Sequence, residues 1–237
     1  LPKLCQGDLL LSLALSEPGV DQELDWLTTT ATREQGAYRL TGVKLFVPDA
    51  HVADALLTVA TTGEGNRGLL LLLVTPTSAG VSVLPLETSL PDRQFEVRLE
   101  SVRLPEESVL GTLGEGRSAL EELLARAAVA RCAEMVGAAQ KLLEMTVAHA
   151  KTRHQFGSPL GKFQAIQHHV ANLATAVETS ELLTYRAGWM IDRGLPFARA
   201  SAEVKAWANE ALTRAAALAH QVHGGLGFTA DYDLHLY

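Results

Sequence analysis

Partway along this chain the spacing of apolar residues changes from two to between three and four. Before the change, Phe95, Val97 and Leu99 alternate with Glu96, Arg98 and Glu100, which places one face of a strand in a core and the other in water. Leu69–Val74 is an unbroken apolar run between Gly68 and Pro76, as expected of a strand covered on both faces. Thr28–Thr32 and Tyr38–Val47 are also rich in strand-forming side chains. Gly, Pro and Asp punctuate these runs at Gly36, Gly42, Pro48-Asp49, Gly63, Gly65, Gly80 and Pro91-Asp92. After the change, Phe163, Ile166, Val170, Leu173 and Val177 recur at helical spacing, as do Phe197, Ala200, Val204, Trp207, Ala211, Ala215, Leu218 and Val222. A strand pattern and a helix pattern do not share one layer, so the expected fold is α+β. An antiparallel β-barrel or sandwich over residues 1–112 precedes an antiparallel bundle of long helices, of four-helix type, over 113–237.

Local signals refine that division. Gly111–Gly116 is the expected hinge between the halves, and Gly194 followed by Leu195-Pro196 stops one helix and starts the next. A helix from Pro196 to Val222 is about 40 Å long and needs neighbours to bury its stripe. The net charge of −7, with Lys and Arg scattered, offers no footprint for nucleic acid or an anionic membrane surface. No run approaches the roughly 20 apolar residues of a membrane span. Leu9–Leu15 is apolar, but Ser16-Glu17-Pro18-Gly19 follows it instead of a small-residue cleavage site, which argues against a secretory signal. Two cysteines, Cys5 and Cys132, are too few for a disulfide framework, and a reduced, cytoplasmic setting is expected. Leu1 in place of Met suggests a fragment.

Several constellations of residues bear on chemistry. His220 and His223 lie three apart and His168-His169 sits on another helix, but three or four converging ligands are not evident, so no metal is expected. Gly63–Gly68 lacks the lysine and the following helix of a phosphate-binding loop. A Gly-x-Ser-x-Gly elbow is also missing. Two motifs remain. Arg153-His-Gln-Phe-Gly-Ser-Pro precedes a long amphipathic helix, and Gln221-Val-His-Gly-Gly-Leu-Gly-Phe closes another. Taken alone, Arg153 is also compatible with a surface charge after a helix end, and Gly224-Gly225 with a simple helix cap.

With Ser16-Glu17-Pro18-Gly19 and Leu40-Thr-Gly-Val-Lys44, these motifs resemble the middle and C-terminal domains of the acyl-CoA dehydrogenases. The resemblance covers nearly the whole chain. It implies FAD as cofactor, an acyl-CoA substrate oxidised at its α,β bond as in β-oxidation, a homo- or hetero-oligomer formed through the helical domain, and an electron-acceptor flavoprotein. It also implies an N-terminal helical domain and a segment past Tyr237, neither contained in this sequence. Carried over by position, Leu15, Ser16 and Phe46 lie against the flavin. Arg153 meets the pyrophosphate with Gln155 and Phe156 beside it. Gln221, Gly224 and Gly225 meet the ADP portion across a subunit interface.

This chain departs from the family pattern in three places. Val20-Asp21-Gln22-Glu23 stands where a Gly-Ser-Asp sequence is usual. Pro48 occupies a position where a Thr or Ser normally serves the flavin N5 edge, and it lacks both a hydroxyl and an N–H. Ala127-Ala128 fills one of two positions where the family carries its catalytic glutamate. No catalytic residue is therefore identifiable; the expected Glu lies beyond Tyr237 or is absent. The alternative reading is a degenerate, non-catalytic subunit that completes a partner's FAD site.

Overall fold

The computed structural model describes residues 2–19, 24–62, 68–89 and 92–237. The chain divides into two compact units, Leu1–Glu121 and Glu122–Tyr237. The Val20–Glu23 departure and most of the Gly63–Gly68 loop fall outside the described residues.

The first unit opens with a short helix, α1 (Pro2–Gln6), followed by seven strands in one curled sheet. These are β1 (Leu11–Ala14), β2 (Thr30–Glu34), β3 (Ala37–Pro48), β4 (Ala55–Thr61), β5 (Leu69–Val74), β6 (Val81–Pro85) and β7 (Gln94–Pro105). The path runs β1-β4-β2-β3-β7-β6, and β5 pairs with the remaining edge of β4. Most pairings are antiparallel, but β4 runs parallel to β1 along Ala55–Thr58 and parallel to β2 at Thr61. The long excursion through β2 and β3 between β1 and β4 makes a parallel pairing possible, because no tight turn has to join them. Leu40, Leu56, Leu72, Val74, Val97, Leu99 and Val102 fill the interior. The continuous run Leu69–Val74 is buried except at Leu73, and Phe95, Val97 and Leu99 point inward.

The second unit rests on three long helices: α2 (Gly116–Thr152, whose first turns belong to the first unit), α3 (Gln164–Asp192) and α4 (Ala198–His223). Between α2 and α3 lies a two-residue-per-strand hairpin, β8 (His154–Gln155) and β9 (Ser158–Pro159). Val129, Cys132 and Val136 of α2 pack with Val177 and Ala187 of α3 and with Val204 and Ala208 of α4. At the other end, Leu142 meets Leu173, Ala215, Ala219 and Leu234. These contacts set α3 antiparallel to both α2 and α4. The last helix begins at Ala198, two residues after Pro196. Its first intrahelical bond runs from the Ser201 N–H to the Phe197 carbonyl, leaving Pro196 in the connection.

Candidate functional site

In the β unit the candidate site is built around a charge. Leu40 and Lys44 both face inward on β3, and the Lys44 ammonium is fully buried. A buried cation is costly unless paired. Its Nζ lies 2.6 Å from Glu17 Oε1 and donates to the Leu15 carbonyl at 3.2 Å. Glu17, also buried, accepts further bonds from the Thr28 N–H and hydroxyl at 2.5 and 2.7 Å, and from the Thr29 N–H at 3.1 Å. Burial alone would raise the Glu17 pKa, but the charge and hydrogen bond of Lys44, joined by donors from Thr29 and Thr28, hold it below its ordinary value. The Lys44 pKa is lowered by its burial, against the pull of Glu17.

This clamp fixes the turn after β1 beside the middle of β3. The Ser16 carbonyl accepts the Leu45 N–H at 2.8 Å, which sets Leu15 and Ser16 beside the segment of β3 that carries Phe46. At that point β3 carries a bulge, with two residues, Leu45 and Phe46, set against Glu96 of β7. Phe46 takes φ +54° and is 59% exposed. Its neighbour Val47 is buried, and the Pro48 carbonyl accepts the Ser12 hydroxyl at 2.6 Å. Pro48 itself borders an open recess of about 300 Å³ lined also by Leu10, Leu13, Val52 and Ala53. A larger groove of about 610 Å³ lies at Glu34, Tyr38, Arg39 and Arg103; none of the residues matched to the family site lines it.

In the helical unit, Arg153 leaves α2 with its N–H on the His149 carbonyl, and its carbonyl accepts the Leu160 N–H. The hairpin that follows turns through Phe156 and Gly157, at φ +51° and +76°. Two successive positive φ values are the mark of a type I′ turn, where the second position suits glycine and the first is strained for phenylalanine. Phe156 is 92% exposed and meets the Phe163 ring edge-on. Arg153 and Gln155 are exposed too.

Gln221, Gly224 and Gly225 are likewise exposed. Gly224 ends α4 at φ +60°, ψ −140°, a conformation that a side chain would strain. Beside both Gly224 and Gly225 a Cβ would meet no heavy atom within 4 Å. Between these glycines and Arg153 stands a stack the sequence did not disclose. His149 of α2 lies over His223 of α4, ring centroids 4.4 Å apart, and His223 in turn meets the Tyr232 ring at 5.3 Å. His223 is buried, and its Nδ1 lies 2.8 Å from the Ala219 carbonyl.

The sequence signals for these supports were faint but real. Lys44 shares the strand parity of the buried Leu40, an unusual position for a charge, and His149 follows Leu142 and Thr146 along the inward face of α2. Among the described residues no group of three His, Cys, Asp or Glu side chains converges as a metal site, and no helix is long and apolar enough to cross a membrane.

The comparisons with known proteins agree with this architecture. Residues 12–102 match the acyl-CoA dehydrogenase middle domain, and residues 114–237 match the acyl-CoA dehydrogenase C-terminal domain. An acyl-CoA dehydrogenase of Bacillus subtilis (strain 168) is 32% identical over 98% of this chain and 62% of its own length. Butyryl-CoA dehydrogenase from Megasphaera elsdenii superposes with a TM-score of 0.93 at 27% identity, covering 98% of this chain and 62% of that one. A structure of PigA with FAD and proline superposes with a TM-score of 0.92 at 27% identity, over 98% of this chain and 62% of that one. A curled β unit followed by a long-helix unit is thus the fold of a flavoprotein dehydrogenase. The chain belongs to the acyl-CoA dehydrogenase family. Members of that family use FAD and act as oligomers on acyl-CoA substrates. The chain spans less than two thirds of the length of these relatives.

Proposed function

We propose that the full-length protein is an FAD-dependent dehydrogenase that introduces an α,β double bond into an acyl-CoA thioester. The observation that carries this reading is backbone strain. Phe46 and Phe156 both hold bulky side chains at positive φ and both remain mostly exposed. Strain of this kind costs on the order of 1–3 kcal/mol per residue and clusters at ligand-binding sites. Neither ring recovers that cost by burial within its own unit, which supports a role in contacting a ligand or a partner chain.

The donor set fits a flavin dinucleotide at its anionic end. The exposed Arg153 guanidinium suits a pyrophosphate by charge and by its planar fork of donors. The open backbone at Gly224-Gly225 permits close approach of an ADP moiety, with the Gln221 amide beside it. In this reading Gln155 and Phe156 flank Arg153, and the residues from Gln221 to Gly225 serve the cofactor of a neighbouring subunit. Leu15, Ser16 and Phe46 pack against the isoalloxazine. FAD, when bound, supplies the hydride acceptor. The N5 edge is served less well, because Pro48 offers no donor.

Ala127 and Ala128 leave α2 without a carboxylate at the position the family resemblance points to, so the base that removes the α-proton comes from another part of the protein. Electrons leave through an electron-acceptor flavoprotein, and the cytoplasm is the proposed compartment. Pro48, together with the Ala127-Ala128 position, favours one second reading, a degenerate subunit that completes a partner's flavin site. The test is anaerobic mixing of the full-length protein, incubated with FAD, with acyl-CoA thioesters of graded chain length. Bleaching of the flavin band by one chain-length class is expected. A bound flavin that no thioester reduces would sink the dehydrogenase reading, and no flavin uptake at all would leave the subunit reading in its place.

A further inference from the structure

The two motifs assigned to the pyrophosphate and ADP portions are 68 residues apart, counted from Arg153 to Gln221, yet a ring contact lies between them. His149 lies one helical turn before Arg153, and His223 immediately precedes Gly224. Their rings stack at 4.4 Å with an interplanar angle of 29°, so the end of α2 and the end of α4 are held ring to ring. We propose that this stack is a positioning joint, setting the Arg153 hairpin against the Gly224-Gly225 turn, and that it works only while both rings are neutral, so that flavin binding is lost in acid. The inference rests on the flavin reading above.

The surroundings of the rings explain the requirement for neutrality. His223 is buried. Its Nδ1–H donates to the Ala219 carbonyl, which leaves Nε2 as the acceptor facing the Tyr232 hydroxyl at 3.4 Å. A proton on Nε2 would turn that acceptor into a second donor facing the Tyr232 hydroxyl, with the Met145 carbonyl as the one acceptor on the ring that offsets it. The charged and titratable groups acting on the pair are Arg153 from α2, His220 from α4 and Tyr232 from the turn after α4. Among the described residues no carboxylate hydrogen-bonds or ion-pairs with either ring to offset added charge.

Burial lowers the pKa of His149, and the charges of His223 and Arg153 lower it further. Burial also lowers that of His223, outweighing the favourable Ala219 and Met145 carbonyls. Both rings are therefore neutral at and above neutral pH. Protonation in acid sets two cations face to face beside Arg153, and the joint opens. Like charges at stacking distance interact as one unit, so the pair titrates in coupled steps.

The experiment measures FAD affinity of the full-length protein by flavin fluorescence at pH 8 and pH 5.5, in the wild type and in His149→Phe. Phenylalanine keeps a ring in the stack but cannot be charged. The wild type should lose affinity between these pH values, the loss growing by up to about tenfold per pH unit for each disfavoured proton once the pH passes below the lowered midpoints. His149→Phe should bind at pH 8 as the wild type does and lose far less at pH 5.5. An equal loss in both proteins would overturn the proposal. So would a gain of affinity in acid, which would make the imidazolium a direct partner of the diphosphate. Absence of FAD binding at pH 8 would instead overturn the flavin reading, and the inference with it. A second readout needs no flavin. The histidine Cε1–H resonances of His149 and His223 should titrate together, below the ordinary imidazole range, and independent, ordinary midpoints would also refute the joint.

Discussion

The two units of this protein solve the same problem with opposite chemistry. Each must fix a loop that carries exposed candidate ligands. The β unit does so with full charges, Lys44 and Glu17, both buried and joined at 2.6 Å. The helical unit does so with uncharged rings, His149 on His223. The difference follows from what lies nearby. Glu17 sits among main-chain and hydroxyl donors at Thr28 and Thr29 that stabilise an anion, and that anion can then hold a lysine. The histidine pair has Arg153 and His220 as neighbours, so further positive charge is disfavoured. An ion pair is suited to fixing a turn over a wide pH range, whereas a neutral stack makes its joint conditional.

Substitutions separate the two, and the largest effect is expected at Lys44. Lys44→Met leaves Glu17 buried without its cation and should destabilise the protein by about 3–5 kcal/mol in urea unfolding, while Lys44→Met with Glu17→Gln, which removes the charge but keeps an acceptor for Thr28 and Thr29, should recover part of that loss. Equal losses in single and double variants would mean that packing, and not the charge pair, is what matters there.

Removal of the Arg153 fork should act on binding instead of folding. Arg153→Gln is expected to weaken FAD binding by about 1.5–3 kcal/mol, the range for hydrogen bonds to charged groups, with the urea midpoint unchanged. An unchanged affinity would place Arg153 outside the site.

The acid limb of stability should report the histidines. A lowered folded-state pKa means the unfolded chain takes up the proton first. The stabilisation is therefore complete above the ordinary histidine value of about 6.5 and is lost as pH falls below it. His149→Phe should flatten the urea midpoint between pH 7 and pH 5.5, where the wild type declines. Glu17 adds its own loss only at lower pH, because its stabilisation is present above the ordinary carboxylate value and fades as pH falls through its lowered one.

The smallest effect on folding is expected at the strained rings. Phe156→Gly removes an exposed side chain from a positive-φ position and should change stability by less than about 1 kcal/mol, since relief of strain and added chain entropy oppose each other. Flavin affinity should nevertheless fall. Retained affinity would mean that the strain serves some other contact.

Much of this architecture could be read from periodicity. Phe95, Val97 and Leu99 did face inward, Leu69–Val74 did form a largely buried strand, and the stripes of α3 and α4 met at Leu173, Val177, Ala200, Val204 and Ala215, whereas Trp207 is 44% exposed and the buried line of α4 runs through Ala208 and Leu212 instead. Period reports which face is buried, and burial is what dominates folding. The parallel placement of β4 between β1 and β5 could not be read, because strand neighbours separated by 40 residues or so leave no local signal. The joints escaped for a different reason. Glu17, Lys44 and His223 were visible as residues of motifs and His149 was not, but the pairing of Lys44 with Glu17 and of His223 with His149 is fixed by tertiary packing alone. Positive φ at Phe46 and Phe156 was equally hidden, since sequence does not announce a strained phenylalanine the way it announces a glycine turn.

The most direct test of the account is the visible absorption spectrum of the purified full-length protein, read as flavin per chain. Strained, exposed aromatics and an open glycine turn, if they seat a dinucleotide as proposed, predict about one flavin per chain. A protein that stays colourless after incubation with excess FAD at pH 8 would contradict the account.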